Sequence, residues 1–187
     1  MSLKGIINYS HYLIENCVDQ GEIVIDATCG NGNDTLFLSR LVGEDGHVFA
    51  FDIQEQAIET TRHLLEEHNR TNVTLVLDNH ANLNRYFRRH DEIAAAIFNL
   101  GYLPRSNKKI ITEGETTILA LEKIIPRLKQ NGIIVLVVYH GHEGGEEEKE
   151  AILKHVVRLD QKDFNVLKYG FINQKNNPPF IIAIEKK

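Results

Sequence analysis

No stretch of these 187 residues approaches the roughly 18 uninterrupted apolar residues of a membrane span, so the sequence implies no membrane partner. The opening Met1-Ser2-Leu3-Lys4-Gly5 lacks the hydrophobic core of a signal segment. Only two cysteines occur, Cys17 and Cys29, and they have no metal-ligand spacing. They read as reduced thiols of a cytoplasmic protein. Low-complexity tracts and internal repeats are missing too. So is any basic excess: 21 Lys and Arg stand against 26 Asp and Glu, a net charge of −5. Binding to nucleic acid would therefore rest on local basic clusters, not on overall charge. What remains is an apolar content of 42%, enough for a sizeable core, and a length that fits a single domain spanning residues 1–187.

The most informative stretch runs from Asp26 to Thr35, reading Asp-Ala-Thr-Cys-Gly-Asn-Gly-Asn-Asp-Thr. A β-branched run, residues 22–25, precedes it, and residues 36–42 have helical apolar spacing. A strand thus ends in an acid, a glycine-rich turn follows, and a helix begins. Gly30 and Gly32 let the backbone approach a ligand closely, and the helix start offers free N–H groups. The pattern is close to the dinucleotide turn, but Thr35 stands at the third small position. Asp26 and Asp34 would repel a pyrophosphate. A sulfonium and an ammonium would be welcome instead, which favours S-adenosylmethionine over NAD. Thr28, Asn31, Asn33 and Thr35 complete the expected cofactor turn.

Two further strand ends fall in register. Residues 46–51 lead into Asp52, some twenty residues past the glycines, where an acid meets ribose hydroxyls. Gln54 adds a polar contact. Residues 73–77 lead into Asp78, Asn79 and His80, which would lie beside the adenine; the competing reading makes Asp78 a helix N-cap. Elsewhere strand and helix patterns alternate, arguing a doubly wound sheet. Helices are expected over residues 9–19, 54–68, 112–130 (interrupted near Pro126) and 145–159. Strands are expected over residues 93–98, 132–139, 164–171 and 180–185, with residues 132–139 central and the last two flanking Pro178-Pro179.

Four motifs carry a family resemblance. They are the Asp26–Thr35 turn, Phe51-Asp52-Ile53-Gln54, Asn99-Leu100-Gly101-Tyr102-Leu103-Pro104, and Tyr139-His140-Gly141-His142-Glu143-Gly144-Gly145. With them the chain resembles the class I Rossmann-like methyltransferases. More narrowly it resembles the bacterial family labelled rRNA methylases, whose members are assigned to methylation of the amine of 5-aminomethyl-2-thiouridine at the tRNA wobble position. Glu143 departs from that family, whose loop has proline there. The resemblance implies an α/β fold: a mostly parallel seven-stranded sheet closed by a C-terminal antiparallel hairpin strand. It also implies S-adenosylmethionine as methyl donor, S-adenosylhomocysteine as product, and a tRNA anticodon stem-loop as partner.

Asn99 ends the fourth strand, where ligands of open parallel sheets bind. Amine methyltransferases of the superfamily often carry Asn/Asp-Pro-Pro-Tyr/Phe here, presenting acceptors to the target NH₂; this chain keeps Asn99 and Tyr102. The alternative is a loop in which Asn99 caps and Tyr102 packs. An aliphatic amine must lose a proton before it attacks, and His11, His140 and His142 are the candidate acceptors. A hydrogen-bonded, non-catalytic His140 is the competing reading. His140-Gly141-His142 has no third ligand at helical spacing, so no metal is expected. Tyr139 and Gly141 join the expected substrate lip. Arg105, Lys108 and Lys109 follow the Asn99 loop and are the expected RNA contacts; Arg85, Arg88, Arg89 and His90 form a second cluster. Either cluster also reads as a solvated face. If RNA is bound, this domain or a homodimer of it must do so. An rRNA or small-molecule methyltransferase, and a non-catalytic cofactor-binding module, remain as alternatives.

Overall fold

The computed structural model describes residues 3–88, 90–101 and 114–187. Its strands are β1 (Ile23–Asp26), β2 (His47–Asp52), β3 (Val73–Leu77), β4 (Ile93–Leu100), β5 (Leu128–Val138), β6 (Phe164–Tyr169) and β7 (Phe180–Lys186). Its α-helices are α1 (Ile6–Glu15), α2 (Asn33–Leu41), α3 (Glu55–Glu67), α4 (Gly114–Ile124) and α5 (Gly145–Val156). These seven strands join one sheet in the order β3-β2-β1-β4-β5-β7-β6. Strands β1 to β5 are parallel, and β7 runs antiparallel to both β5 and β6. This is the expected α/β architecture.

Side chains alternate across a strand, so each strand feeds two cores. Val24, Val48, Ile97, Val135 and Val137 pack with Ile14 and Val18 near α1 and with Leu38 of α2. Ala50 joins Ile58 of α3 on the same side. Ile25, Ala27, Phe51, Phe98, Leu136 and Val138 face Leu121 of α4 and Ile152 of α5. The chain order reverses between β1 and β4, which opens a crevice at their carboxyl ends.

Two expectations need correction. Helix α1 lies three residues earlier than expected at its start and ends at Glu15. Val18 continues the apolar spacing of Ile14, but it is buried from the turn after the helix. The long helix expected to reach Gln130 stops at Ile124; Pro126 sits in a 3-10 turn, and β5 begins at Leu128. Leu128 pairs with Ile93, and after a register shift Ile133 pairs with Ala95. Residues 128–130 carry too few apolar side chains to read as strand, and the pairing with β4 overrides that local signal.

Candidate active site

The first turn is held shut by its own carboxylate. Asp26 is fully buried and accepts hydrogen bonds from Thr35 Oγ1 at 2.6 Å and the Thr28 N–H at 3.2 Å. Burial and then the charge of Asp34, with a smaller push from Asp52, raise its pKa to about 7. Gly32 has φ +81°, and a Cβ there would lie 3.0 Å from Thr61 Cα, so α3 packs directly on the turn. Both requirements, left-handed backbone and missing side chain, select glycine. Asn31 and Asn33 are exposed on its outer side.

Asp52 sits beside that turn. It accepts from the Gly30 N–H at 3.0 Å and the Gln54 N–H at 2.9 Å, with the Ile53 N–H also turned toward it. Burial raises its pKa, against those backbone bonds. A carboxylate has about four lone-pair sites, so acceptor capacity remains for ribose hydroxyls. At the third strand end the competing reading of Asp78 as a cap falls away. Asn79, not Asp78, is the cap: its side chain accepts from the Ala81 N–H at 2.8 Å. Asp78 accepts from Asn82 Nδ2 at 2.8 Å and Tyr86 OH at 2.9 Å, and Arg85 stands 3.7 Å away. The bond from Asn82 leads the effects that hold its carboxyl below the ordinary range. His80 is buried, with Nδ1 3.0 Å from the Ala27 carbonyl and its ring edge-on to Phe98. Burial lowers its pKa, so the neutral ring donates to Ala27 and clamps the first turn from the α4 side.

The end of β4 meets α1 and α2 through one carboxylate. Asp34 Oδ2 accepts from Asn99 Nδ2 at 2.6 Å, and Asp34 Oδ1 lies 2.6 Å from His11 Nε2. A carboxylate only accepts, so Nε2 carries the hydrogen. The His11 ring is stacked on Phe37, 3.9 Å between centroids and 6° from parallel. The Asn99 N–H donates to Thr28 Oγ1 at 2.7 Å. Tyr139 extends the pairing of β5, its N–H donating to the Leu100 carbonyl at 3.0 Å. Burial and then the Asp34 charge raise its phenol pKa, which keeps it neutral beside the site.

The following loop separates the histidines. The ring of His140 packs edge-on to Phe180, and its Nδ1 lies 3.3 Å from Glu146. Gly145 lies so close that a Cβ there would stand 2.9 Å from His140 Cα. His140 is thus fastened between β7 and the start of α5. Next to Tyr139 it faces the other way, because one residue along a strand end changes the face. His142 Nε2 comes within 3.7 Å of the position a Cβ on Gly101 would take, so it does stand by the β4 exit. Gly141 is exposed beside Asn177. Tyr102, Arg105, Lys108, Lys109 and Arg89 lie outside the described residues.

The sequence profile of the family described as "Putative rRNA methylase" matches residues 48–185. A chloroplastic tRNA (mnm(5)s(2)U34)-methyltransferase of Arabidopsis thaliana is 37% identical over 193 residues, covering 98% of this chain and 70% of that protein. The crystal structure of an rRNA methylase from Clostridium thermocellum is 46% identical, with a TM-score of 0.96 and full coverage of both chains. A methyltransferase from Streptococcus mutans, solved with S-adenosylhomocysteine, is 46% identical with a TM-score of 0.91, covering 99% of each chain. The chain belongs to this rRNA-methylase family.

It is an S-adenosylmethionine-dependent methyltransferase, and the donor set of the turn agrees. Asp26, Asp34 and Asp52 crowd one turn, and their mutual repulsion helps lift Asp26. A pyrophosphate would add to that repulsion, whereas a sulfonium and an ammonium relieve it. When bound, S-adenosylmethionine supplies an activated methyl group. The turn from Asp26 to Thr35 and Asp52 would hold it. Asn99 stands beside that turn, bonded to Thr28 and Asp34.

Sequence reasoning puts Asp34 among the cofactor residues and His11 among the substrate residues without linking them. The structure joins the two through Asn99 and adds Phe37. A signal for part of this exists: Asp34 and Phe37 are three apart on α2 and so share a face. The Thr28–Asn99 and Asp78–Tyr86 bonds have no signal in local pattern, because their partners are set by sheet order and by the fold of the segment after β3.

Proposed function

We propose that this methyltransferase acts on tRNA, transferring a methyl group to the amine of 5-aminomethyl-2-thiouridine at the wobble position. The observation that carries this reading is the Asn99 amide. Its N–H group is bound by Thr28 and its Nδ2 by Asp34, which leaves Oδ1 as the atom to face an incoming ligand. A primary amine can donate one N–H to that oxygen while its lone pair points at the methyl carbon, the alignment an in-line displacement needs. The near full-length similarity to the Arabidopsis wobble-uridine enzyme supports the same substrate.

Recognition of the anticodon stem-loop falls, on this reading, to Arg105, Lys108 and Lys109. Arg85, the alternative basic position, is already drawn to Asp78. Action in the cytoplasm and a homodimeric RNA-binding form belong to the same proposal. Among the described residues no helix is long and apolar enough to cross a membrane. Nucleoside mass spectrometry of tRNA from a deletion strain tests the reading. The 5-aminomethyl nucleoside should accumulate and its methylated form disappear, with both reversed by the wild-type gene. Unchanged tRNA nucleosides would overturn it.

A further inference from the structure

We infer that Asp34 is a positioning residue for the methyl acceptor, fixing the Asn99 amide so that the site offers an acceptor oxygen and not an NH₂ group. The inference rests on the amine reading above and deepens it. An amide can turn about its terminal bond at little steric cost, exchanging oxygen and nitrogen. Which way Asn99 faces is therefore decided by its partner. That partner is a carboxylate with both oxygens engaged, one on Asn99 Nδ2 and one on His11, each at 2.6 Å. Its side chain is 14% exposed, which keeps water from competing strongly for the two bonds. His11 is itself held flat against Phe37, so the carboxylate has little freedom to rotate. The Thr28 bond fixes the backbone at Asn99, and Asp34 fixes the polarity of its side chain.

The consequence is a choice of substrate chemistry. Oxygen outward, the site accepts from an N–H donor. Nitrogen outward, it would present two hydrogens to a target amine and turn it away. Asp34→Asn produces this inversion while keeping the fold. With His11 keeping its hydrogen on Nε2, the oxygen of the introduced amide would take it, and its NH₂ would then face Asn99 and force that amide to turn. Adding Asn99→Asp restores an acceptor outward, because both oxygens of a carboxylate accept.

The test uses the full chain, S-adenosylmethionine, and tRNA bearing unmethylated 5-aminomethyl-2-thiouridine. Asp34→Asn should lower kcat about 10- to 100-fold, the scale of a charge-assisted hydrogen bond, and lower S-adenosylhomocysteine affinity by calorimetry by a clearly smaller factor, since the carboxylate also belongs to the acidic turn. The Asp34→Asn/Asn99→Asp pair should regain most of that loss. In ¹⁵N-labelled protein the Asn99 side-chain NH₂ signals, assigned by their loss in Asn99→Asp, should exchange slowly in wild type and fast in Asp34→Asn. Cofactor affinity falling in step with kcat would leave Asp34 with a cofactor role alone and overturn the inference, as would unchanged NH₂ exchange. Loss of turnover in Asn99→Ala without loss in Asp34→Asn also overturns it and leaves the amine reading standing. If wild type methylates no such tRNA, the amine reading fails, and the NMR comparison still decides the role of Asp34.

Discussion

The two faces of the sheet differ in what their strands deliver at the carboxyl ends. On the face packed by α1, α2 and α3, the alternation that buries Val24, Ala50, Ile97 and Val137 continues into Asp26, Asp52, Asn99 and Tyr139. On the face packed by α4 and α5, it continues from Phe98 and Val138 toward His80 and His140, both of which bind protein groups and pack on phenylalanine rings. One face ends in groups with lone pairs left over. The other ends in imidazole rings held by packing on phenylalanines, with His80 Nε2 buried and without a hydrogen-bond partner among the described residues. Sequence neighbours such as Tyr139 and His140 therefore do different work, and a two-residue period separates them better than proximity in the chain does.

The sharpest way to break this comparison is to remove the acceptor on the first face. Asn99→Ala should cut kcat about 100- to 1,000-fold, since the target amine loses its orienting partner at the moment of transfer. S-adenosylhomocysteine affinity should stay within about twofold by calorimetry. A parallel fall in cofactor affinity would move Asn99 into the cofactor site.

The pH dependence of stability compares the faces in opposite directions. Folding raises the pKa of Asp26 to about 7, so the folded chain retains a proton that the unfolded chain releases near pH 4. Its contribution is full below the ordinary carboxylate value and is lost as pH rises through about 7. Asp52, raised by burial, has the same sign. His80 on the other face is lowered, so its contribution is present above the ordinary imidazole value and is lost as pH falls through its depressed one. Without cofactor, urea denaturation should show wild type losing on the order of 2–3 kcal/mol between pH 5 and pH 8 that Asp26→Asn retains. Identical pH profiles for the two proteins would show that Asp26 ionises without strain.

Asp52→Ala should weaken S-adenosylmethionine binding by roughly 1.5–3 kcal/mol, through loss of the ribose bonds and of the acceptor that holds the Gly30 N–H. The check is calorimetric affinity alongside kcat at saturating cofactor. A variant that binds normally but turns over slowly would place Asp52 with the acceptor and not with the cofactor.

Much of this face is legible in the sequence. Three strands ending in acids, the glycine turn and the position of Asp52 all follow from local pattern, because a βα turn is encoded within about ten residues. Asn99 is legible as a strand end. What is not legible depends on contacts between distant segments. Asp34 and His11 are 23 residues apart, and Asp34 and Asn99 are 65 apart. Their meeting needs the packing of α1 over β5, beside β4, which no window of sequence records. The same holds for His80, whose carbonyl partner is 53 residues earlier. The end of α4 misleads for another reason. Pairing with Ile93 recruits Leu128 into β5 against the local pattern.

The smallest expected effect is the one that best separates the faces. His140 is a candidate proton acceptor by sequence, yet its ring packs on Phe180 and its Nδ1 turns to Glu146. His140→Ala should leave kcat within about threefold of wild type across pH 6–9, if the proton of the amine is taken up on the face of Asn99 and not here. It should lower stability by about 1 kcal/mol through the lost ring contact. Because Gly145 leaves no room for a Cβ beside the His140 backbone, the loop cannot readily collapse into the space vacated. The loss should therefore appear in the melting temperature and not in the pH–rate profile. An acid limb of the pH–rate profile that disappears in His140→Ala would return this histidine to the reaction, and with it the face of α4 and α5.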